Sequence, residues 1–575
     1  MSYLLEPIVA LAELCAAHGL RYVVQSPGSR NAPLTLAFAR HPRLCMYTLS
    51  DERSAAFVGL GLAQASGRAT VLACTSGSAG LNYAPAVAEA YFQQVPLLVF
   101  TADRPPEWVD QLDGQTIRQR GLFGAHVKGA YELPVDYTHP DARWQVGRVV
   151  SEAINLAEAY PPGPVHINAP FREPFYPPPG YEMNNVPPAK RIRELAGRAS
   201  LDHVAEEEFA KICAESAKIL LVAGQQRLDG DTVRALASLP VPLVADTIAN
   251  LHARPGAVRH HDLTLAQPEA RAQLGRPDLL VTFGLSVLSK PLKTYLRQHP
   301  PRWHWHVQAA GLVADPFQSL THVARVAPAD FWPLLATQVA GPHPLAGPRA
   351  SWLAQWQGPD QLAAQAVAAY LAKLGAGPGP LSELEVVAAL LAQLPPQSHL
   401  HLANSMPVRY VNALGLAPQA GVEVWANRGT SGIDGSVGTA VGHALAMPDR
   451  LHVLLTGDLA FFYDRNSLWH NYLPQNLRIL VLNNHGGGIF RLIDGPKGLP
   501  ESAPYFVTEQ RLTAKASAED MGLGYAQVQD RAQLATQLAA WLSPSTGAAL
   551  LEAETTHEVN EAAWQGLKAI PLRAG

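Results

Sequence analysis

The chain has 575 residues, 48% of them hydrophobic and 16% charged, with a formal net charge of −4. That length exceeds what one hydrophobic core supports and implies roughly three or four domains. The near-neutral balance carries no electrostatic footprint for nucleic acid or an anionic membrane, and no apolar run reaches membrane-spanning length. The N-terminal stretch holds Glu6 and Glu13 and lacks a basic region, so it does not read as a signal peptide, and a cytoplasmic location is expected. Cys15, Cys45, Cys74 and Cys213 are scattered without a C-x-x-C pair and read as buried small hydrophobes.

In chain order, strand-like and helix-like pieces alternate through a first block ending near residue 180. Residues 22–24 lead into Ser26-Pro27-Gly28-Ser29-Arg30. The segment Thr48-Leu49-Ser50-Asp51-Glu52-Arg53 closes a strand-like piece and opens a helix over 55–62, where Glu52 is by itself a first-turn acid favoured by the helix dipole. Residues 70–74 lead into Thr75-Ser76-Gly77-Ser78, and residues 96–100 into Thr101-Ala102-Asp103-Arg104-Pro105-Pro106. Each turn of small residues can expose backbone N–H groups. A strand at 165–168 precedes a proline-rich linker over 175–188.

The second block, about 190–340, predicts strands at 219–222, 241–245 and 279–283. His304 and His306 alternate with Trp303 and Trp305 and would share one face of a strand, which suits two core or surface histidines better than a metal pair. His260 and His261 would point opposite ways in a strand and form no site. The block has no convincing G-x-G-x-x-G, so FAD and NAD are unsupported. Gly- and Pro-rich breaks at 340–347 and 375–380 lead to a third block over 381–575. Continuous rather than alternating apolar strands in all three blocks predict an α/β protein of doubly wound parallel sheets.

The third block carries the densest signal. A buried strand over 451–456 ends in Gly457-Asp458, a helix over 464–472 follows, and a strand over 478–482 ends in Asn483-Asn484-His485-Gly486. Strand, helix, strand is a right-handed crossover between parallel neighbours. Asp458 and Asn484 would then emerge at one carboxyl edge, where open α/β sheets bind ligands. A carboxylate, an amide oxygen and Gly-flanked carbonyls suit Mg²⁺, which takes its remaining ligands from water and a diphosphate. Each dipeptide alone is also an ordinary turn.

Together these motifs resemble the thiamine diphosphate (ThDP) enzymes, built from pyrimidine-binding, central and diphosphate-binding domains. The resemblance implies those domains at 1–180, 190–340 and 381–575. It implies Mg²⁺, or Mn²⁺, held by Asp458, Asn484 and the Gly486 carbonyl, with Ser405, Ile433, Leu459 and Ala460 also on the cofactor. Ile433 would be the apolar wedge that keeps ThDP bent. Glu52 would be catalytic, hydrogen-bonded to a ring nitrogen of the aminopyrimidine. Because Glu52 and the metal motif meet across subunits in the family, a homodimer or homotetramer is implied.

Six stretches are similar to one branch of that family. They are Ser26-Pro27-Gly28-Ser29-Arg30, Thr101-Ala102-Asp103-Arg104-Pro105-Pro106, Gln115-Thr116-Ile117-Arg118-Gln119, Asn404-Ser405-Met406-Pro407-Val408-Arg409, Asn427-Arg428-Gly429-Thr430-Ser431-Gly432-Ile433-Asp434-Gly435, and residues 483–490. The branch is the 2-succinyl-5-enolpyruvyl-6-hydroxy-3-cyclohexene-1-carboxylate (SEPHCHC) synthases of menaquinone biosynthesis. The resemblance implies decarboxylation of 2-oxoglutarate and conjugate addition of the resulting succinic semialdehyde carbanion to isochorismate. Four substrate carboxylates call for fixed cations, and arginine offers a planar fork for them. Arg30, Arg104, Arg409, Arg428 and Lys290 are the implied cations, Ser29, Gln115 and Ser405 add hydrogen bonds, and Ile489 and Phe490 wall the pocket. Three positions depart from the branch pattern: Gly114 where Asn often stands, Pro291 where a second basic residue is common, and Ala460 in place of a hydroxyl residue. Another ThDP 2-oxoacid decarboxylase or carboligase would keep Glu52 and Asp458 but would not need four arginines.

Overall fold

The computed structural model describes residues 6–572 except 174, 178–189, 196, 377–378, 419–420 and 493–494. Most of the proline-rich linker lies outside the described residues. The chain builds three parallel sheets. The first holds β1 (Tyr22–Gln25), β2 (Cys45–Thr48), β3 (Thr70–Cys74), β4 (Leu97–Asp103), β5 (Gly129–Glu132) and β6 (Val165–Pro170), in the order β2-β1-β3-β4-β6-β5. The second holds β7 (Ile219–Ala223), β8 (Leu243–Ala245), β9 (Leu279–Phe283), β10 (Trp303–Val307) and β11 (His322–Ala324), in the order β11-β10-β9-β7-β8. The third holds β12 (His399–Leu402), β13 (Glu423–Trp425), β14 (His452–Gly457), β15 (Leu477–Asn483), β16 (Gly524–Val528) and β17 (Ala549–Glu554), in the order β13-β12-β14-β15-β17-β16. The first and third sheets therefore share one topology. In both, the strand order reverses between the first and third strands, and that crevice is the expected ligand edge.

Strand interiors such as β3, β7, β9 and β15 are buried throughout. That burial explains their continuous apolar runs, since helices cover both faces of a parallel sheet. The expected helix over 464–472 is displaced. The helix runs Asp458–Asp464, directly off β14, and only a 3₁₀ turn, Arg465–Leu468, follows it. Asp464 does not start its own helix. Its buried carboxylate accepts from the Val437 and Gly438 amides at 2.8 and 3.0 Å and so caps the neighbouring helix Ser436–Ala446.

A 29-residue helix, Ala346–Leu374, follows the break predicted at 340–347. Its N-terminal half buries Trp352 and Trp356 in the second block's core, and its C-terminal half buries Ala363 and Val367 in the third's. Because it serves two cores in turn, no single apolar stripe marks it in the sequence.

Helices Glu52–Ser66 and Ser436–Ala446 cross at backbone contact and join the first and third blocks. A Cβ on Gly442 would lie 2.2 Å from the Val58 carbonyl oxygen, and one on Gly61 would lie 2.2 Å from that of Thr439. Only glycine permits this approach. No helix among the described residues is long and apolar enough to cross a membrane.

Candidate active site

The carboxyl edge of the third sheet opens on a cavity of about 440 Å³. Asn404 and Ser405 follow β12, Arg428 follows β13, Asp458 to Ala460 follow β14, and Asn484 with Gly486 to Phe490 follow β15; all line the cavity. Parallel pairing of β12, β14 and β15 brings these loop starts level with one another. Of the residues named from sequence, the cavity gathers Ser405, Arg409, Arg428, Ile433, Asp458, Leu459, Ala460, Asn484, Gly486, Ile489 and Phe490.

Asp458 is buried at the first turn of its helix. It accepts from its neighbour Leu459's amide at 2.8 Å and from Gln510 Nε2 at 2.7 Å. Burial raises its pKa, against the lowering effect of the Gln510, Leu459 and Gly486 hydrogen bonds. Asn484 Nδ2 donates to Glu383 at 2.7 Å, which leaves Oδ1 buried with no hydrogen-bond partner. An orphaned carbonyl oxygen beside a desolvated carboxylate is the donor set a hard divalent cation satisfies. No side chain lies within 4 Å of where a Gly457 Cβ would stand, so that glycine faces open space. These residues fit a metal–diphosphate site.

Glu383 was not singled out from the sequence. It is 1% exposed at the start of helix Glu383–Gln393 and also accepts from the Tyr410 hydroxyl at 2.9 Å. Burial pushes its carboxyl up to about 7. Gln510 also went unnoticed, since it lies in a loop with no motif around it.

Arg409 and Arg428 bring positive charge to the cavity. Arg409 donates to the Ser405 carbonyl at 2.5 Å, and Ser405 takes a left-handed φ of 70°. Burial, and next the charge of Arg428, lowers the Arg409 pKa, while Asp262 opposes this. Arg428 donates to Asn404 Oδ1 at 2.7 Å, but its Nε is buried without a partner. Neither arginine forms an ion pair among the described residues, so an anionic ligand can engage both.

The remaining named residues, apart from Lys290, gather on the corresponding edge of the first sheet. Ser29 and Arg30 follow β1, Glu52 follows β2 and Arg104 follows β4, with Gln115 in the loop beyond. None lines the 440 Å³ cavity. Arg30 donates to the Phe171 carbonyl at 3.0 Å and lies 4.3 Å over the Phe175 ring. Arg104 pairs with Asp113 at 3.1 Å and donates to the Gly114 carbonyl at 2.9 Å, so it holds the loop carrying Gln115. Beside Glu52, Asp51 accepts from Asn466 at 2.9 Å, and Arg53 donates to the Tyr463 carbonyl at 2.6 Å. The start of the Glu52 helix thus abuts the far end of the Asp458 helix.

Residues 9–123 match the family described as thiamine pyrophosphate enzyme, N-terminal TPP binding domain. Residues 200–402 match the middle domain of thiamine pyrophosphate, and 414–553 the C-terminal TPP binding domain. The SEPHCHC synthase of Cytophaga hutchinsonii is 41% identical over 568 residues, covering 98% of each chain. That of Porphyromonas gingivalis is 36% identical, covering 95% of this chain and 94% of the relative. That of Desulfotalea psychrophila is 39% identical, covering 90% and 93%. The chain belongs to the SEPHCHC synthase family.

Six histidines outside these edges have structural partners. His304 and His306 lie on β10 and share the Thr282 hydroxyl, each at 2.9 Å. His261, at the start of a helix rather than in a strand, pairs with Asp246 at 3.2 Å, both side chains fully buried. His399, His443 and His452 are close enough to hold a metal ion. Their rings are already bonded, to Trp425 Nε1, Gln64 Oε1 and the Met447 carbonyl respectively. Lys290 is exposed at the first turn of helix Lys290–Gln298. Lys293, one turn on, lines a second cavity of about 720 Å³ that Arg428 also borders.

Proposed function

We propose that the chain condenses 2-oxoglutarate with isochorismate, releasing CO₂ and forming 2-succinyl-5-enolpyruvyl-6-hydroxy-3-cyclohexene-1-carboxylate, a step of menaquinone biosynthesis. The observation that carries this reading is one cavity holding both a metal–diphosphate donor set and two unneutralised arginines. ThDP supplies the electron sink for loss of CO₂ from a 2-oxo acid. Asp458, Asn484 and the Gly486 carbonyl would hold Mg²⁺ or Mn²⁺ against its diphosphate. Ser405, Leu459 and Ala460 would line its path, and Ile433 would support its bend. Glu52 would hydrogen-bond the aminopyrimidine ring and set its protonation state.

Arg409 and Arg428 would grip substrate carboxylates through charge-assisted hydrogen bonds, and Ile489 and Phe490 would exclude water. Ser29, Arg30, Arg104 and Gln115 share an edge with Glu52, so they would reach substrate with it. Since that edge does not line this chain's own metal cavity, the complete site would join Glu52 of one subunit to Asp458 and Asn484 of another in a homodimer, or in a tetramer of such dimers. Lys290 would complete the substrate set from the central domain.

The test is product formation from 2-oxoglutarate and isochorismate with ThDP and Mg²⁺. Product with both substrates supports the reading. CO₂ release from pyruvate, with no product from isochorismate, would assign the chain to a different decarboxylase.

A further inference from the structure

The loop that carries Arg428 is held from another domain by a carboxylate with no assigned role. Glu89 lies in helix Ala84–Gln93 of the first block and is buried. Its Oε1 accepts from the Gly429 amide at 2.7 Å, and its Oε2 accepts from the Thr430 amide at 2.6 Å and the Thr430 hydroxyl at 2.5 Å. Gln93 also donates to Oε1 and is itself bonded to Gln64 and Gln225, so the carboxylate cannot swing freely. A Cβ on Gly429 would sit 2.7 Å from the Glu89 carbonyl oxygen, so the glycine permits the approach.

The arrangement has a specific electrostatic consequence. Had Glu89 paired with the Arg428 guanidinium, it would have neutralised the cation. It binds instead the two backbone amides that follow Arg428, while its charge still favours the protonated guanidinium against the larger effect of burial. The loop is fixed and the guanidinium, with Nε unpartnered, stays available.

We propose that Glu89 is a positioning residue for substrate binding: it sets the Arg428 loop so that the guanidinium meets a substrate carboxylate. This rests on the reaction proposed above. Substitution of a charged acceptor serving two part-buried backbone amides should weaken binding through that loop about tenfold. The test compares wild type, E89Q, T430V, R428A and the double variant E89Q/R428A, all with ThDP and Mg²⁺. E89Q should raise the KM of at least one carboxylate substrate about tenfold with kcat within about threefold, and T430V should raise the same KM by a smaller factor. In the R428A background, E89Q should add less than about twofold, because its effect passes through the arginine. Hydrogen exchange should also show lost protection at Gly429 and Thr430 in E89Q.

Unchanged KM values in E89Q, or a penalty equal in both backgrounds, would overturn the proposal. If E89Q does not fold, T430V decides: an unchanged KM overturns the role and a raised one supports it. Wild type forming no product would defeat the reaction instead. Exchange at Gly429 and Thr430 would then still decide whether Glu89 orders the loop.

Discussion

Replacing Glu383 should weaken metal binding although the residue is no metal ligand here. Its carboxylate takes the Asn484 Nδ2 hydrogen bond at 2.7 Å and so decides which end of that amide is free. In E383A the amide loses its anchor, and the Tyr410 hydroxyl, bonded to Glu383 at 2.9 Å, is orphaned as well. Removing the partner that orients a metal ligand lowers affinity by about 10–100-fold. Two stranded buried donors cost roughly 1–3 kcal/mol each. Relief of the carboxylate's own burial, visible in its rise to about 7, offsets part of this.

E383Q keeps an acceptor for Asn484 and a polar atom for Tyr410, whose hydroxyl can turn to accept, so it should stay within about threefold of wild type in metal affinity. The assay is the Mg²⁺ concentration for half-maximal ThDP binding, followed by tryptophan fluorescence, with a thermal melt on each variant. A folded E383A with wild-type Mg²⁺ dependence would refute the claim that Glu383 orients Asn484.

Gly442→Ala should lower the melting temperature, because its Cβ would stand 2.2 Å from the Val58 carbonyl oxygen. Overpacking of this kind costs about 1–3 kcal/mol, or roughly 2–10 °C, in a differential scanning melt. Burial would lower the His261 pKa, but the Asp246 hydrogen bond, with Asp262, Asp246 and Asp360, raises it to about 9. A raised histidine contributes stability that is complete below its unfolded value near 6.5 and lost as pH rises through about 9. Denaturant midpoints should therefore fall between pH 6.5 and 9, and this slope should vanish in H261Q. Glu52→Gln should reduce turnover about 10²–10⁴-fold while ThDP still binds. Mixing it with an equally inactive D458A chain should restore product formation if the site spans subunits, and no recovery would place both residues in one chain.

The sequence exposed the parts of the fold that depend on local pattern. The strands before Asp458 and Asn484 fall within about a residue of their predicted ends, because apolar runs closed by Gly-Asp and Asn-Asn have few other readings. The helix over 464–472 was misplaced because Asp464 looks like an N-cap but caps a helix distant in sequence. Glu383 was invisible since Ser382-Glu383-Leu384-Glu385 reads as a capping box, and Glu385 does close it. The meeting of Glu383 with Asn484 is a tertiary fact. Lys293, one turn after Lys290, lines the cavity that Arg428 borders, a placement set by helical phase that no motif announces. Ile433 is 43% exposed, which no turn motif reveals.

The seam at Gly61 and Gly442 acts as a ruler. One of its helices begins at Glu52, and the other begins just after the loop bearing Arg428 and Ile433. Backbone against backbone leaves no side-chain slack to absorb a shift. The separation of the two half-sites within a chain is therefore a fixed length, set far from either edge. A substitution there would misalign chemistry it never touches, and would do so at both ends together.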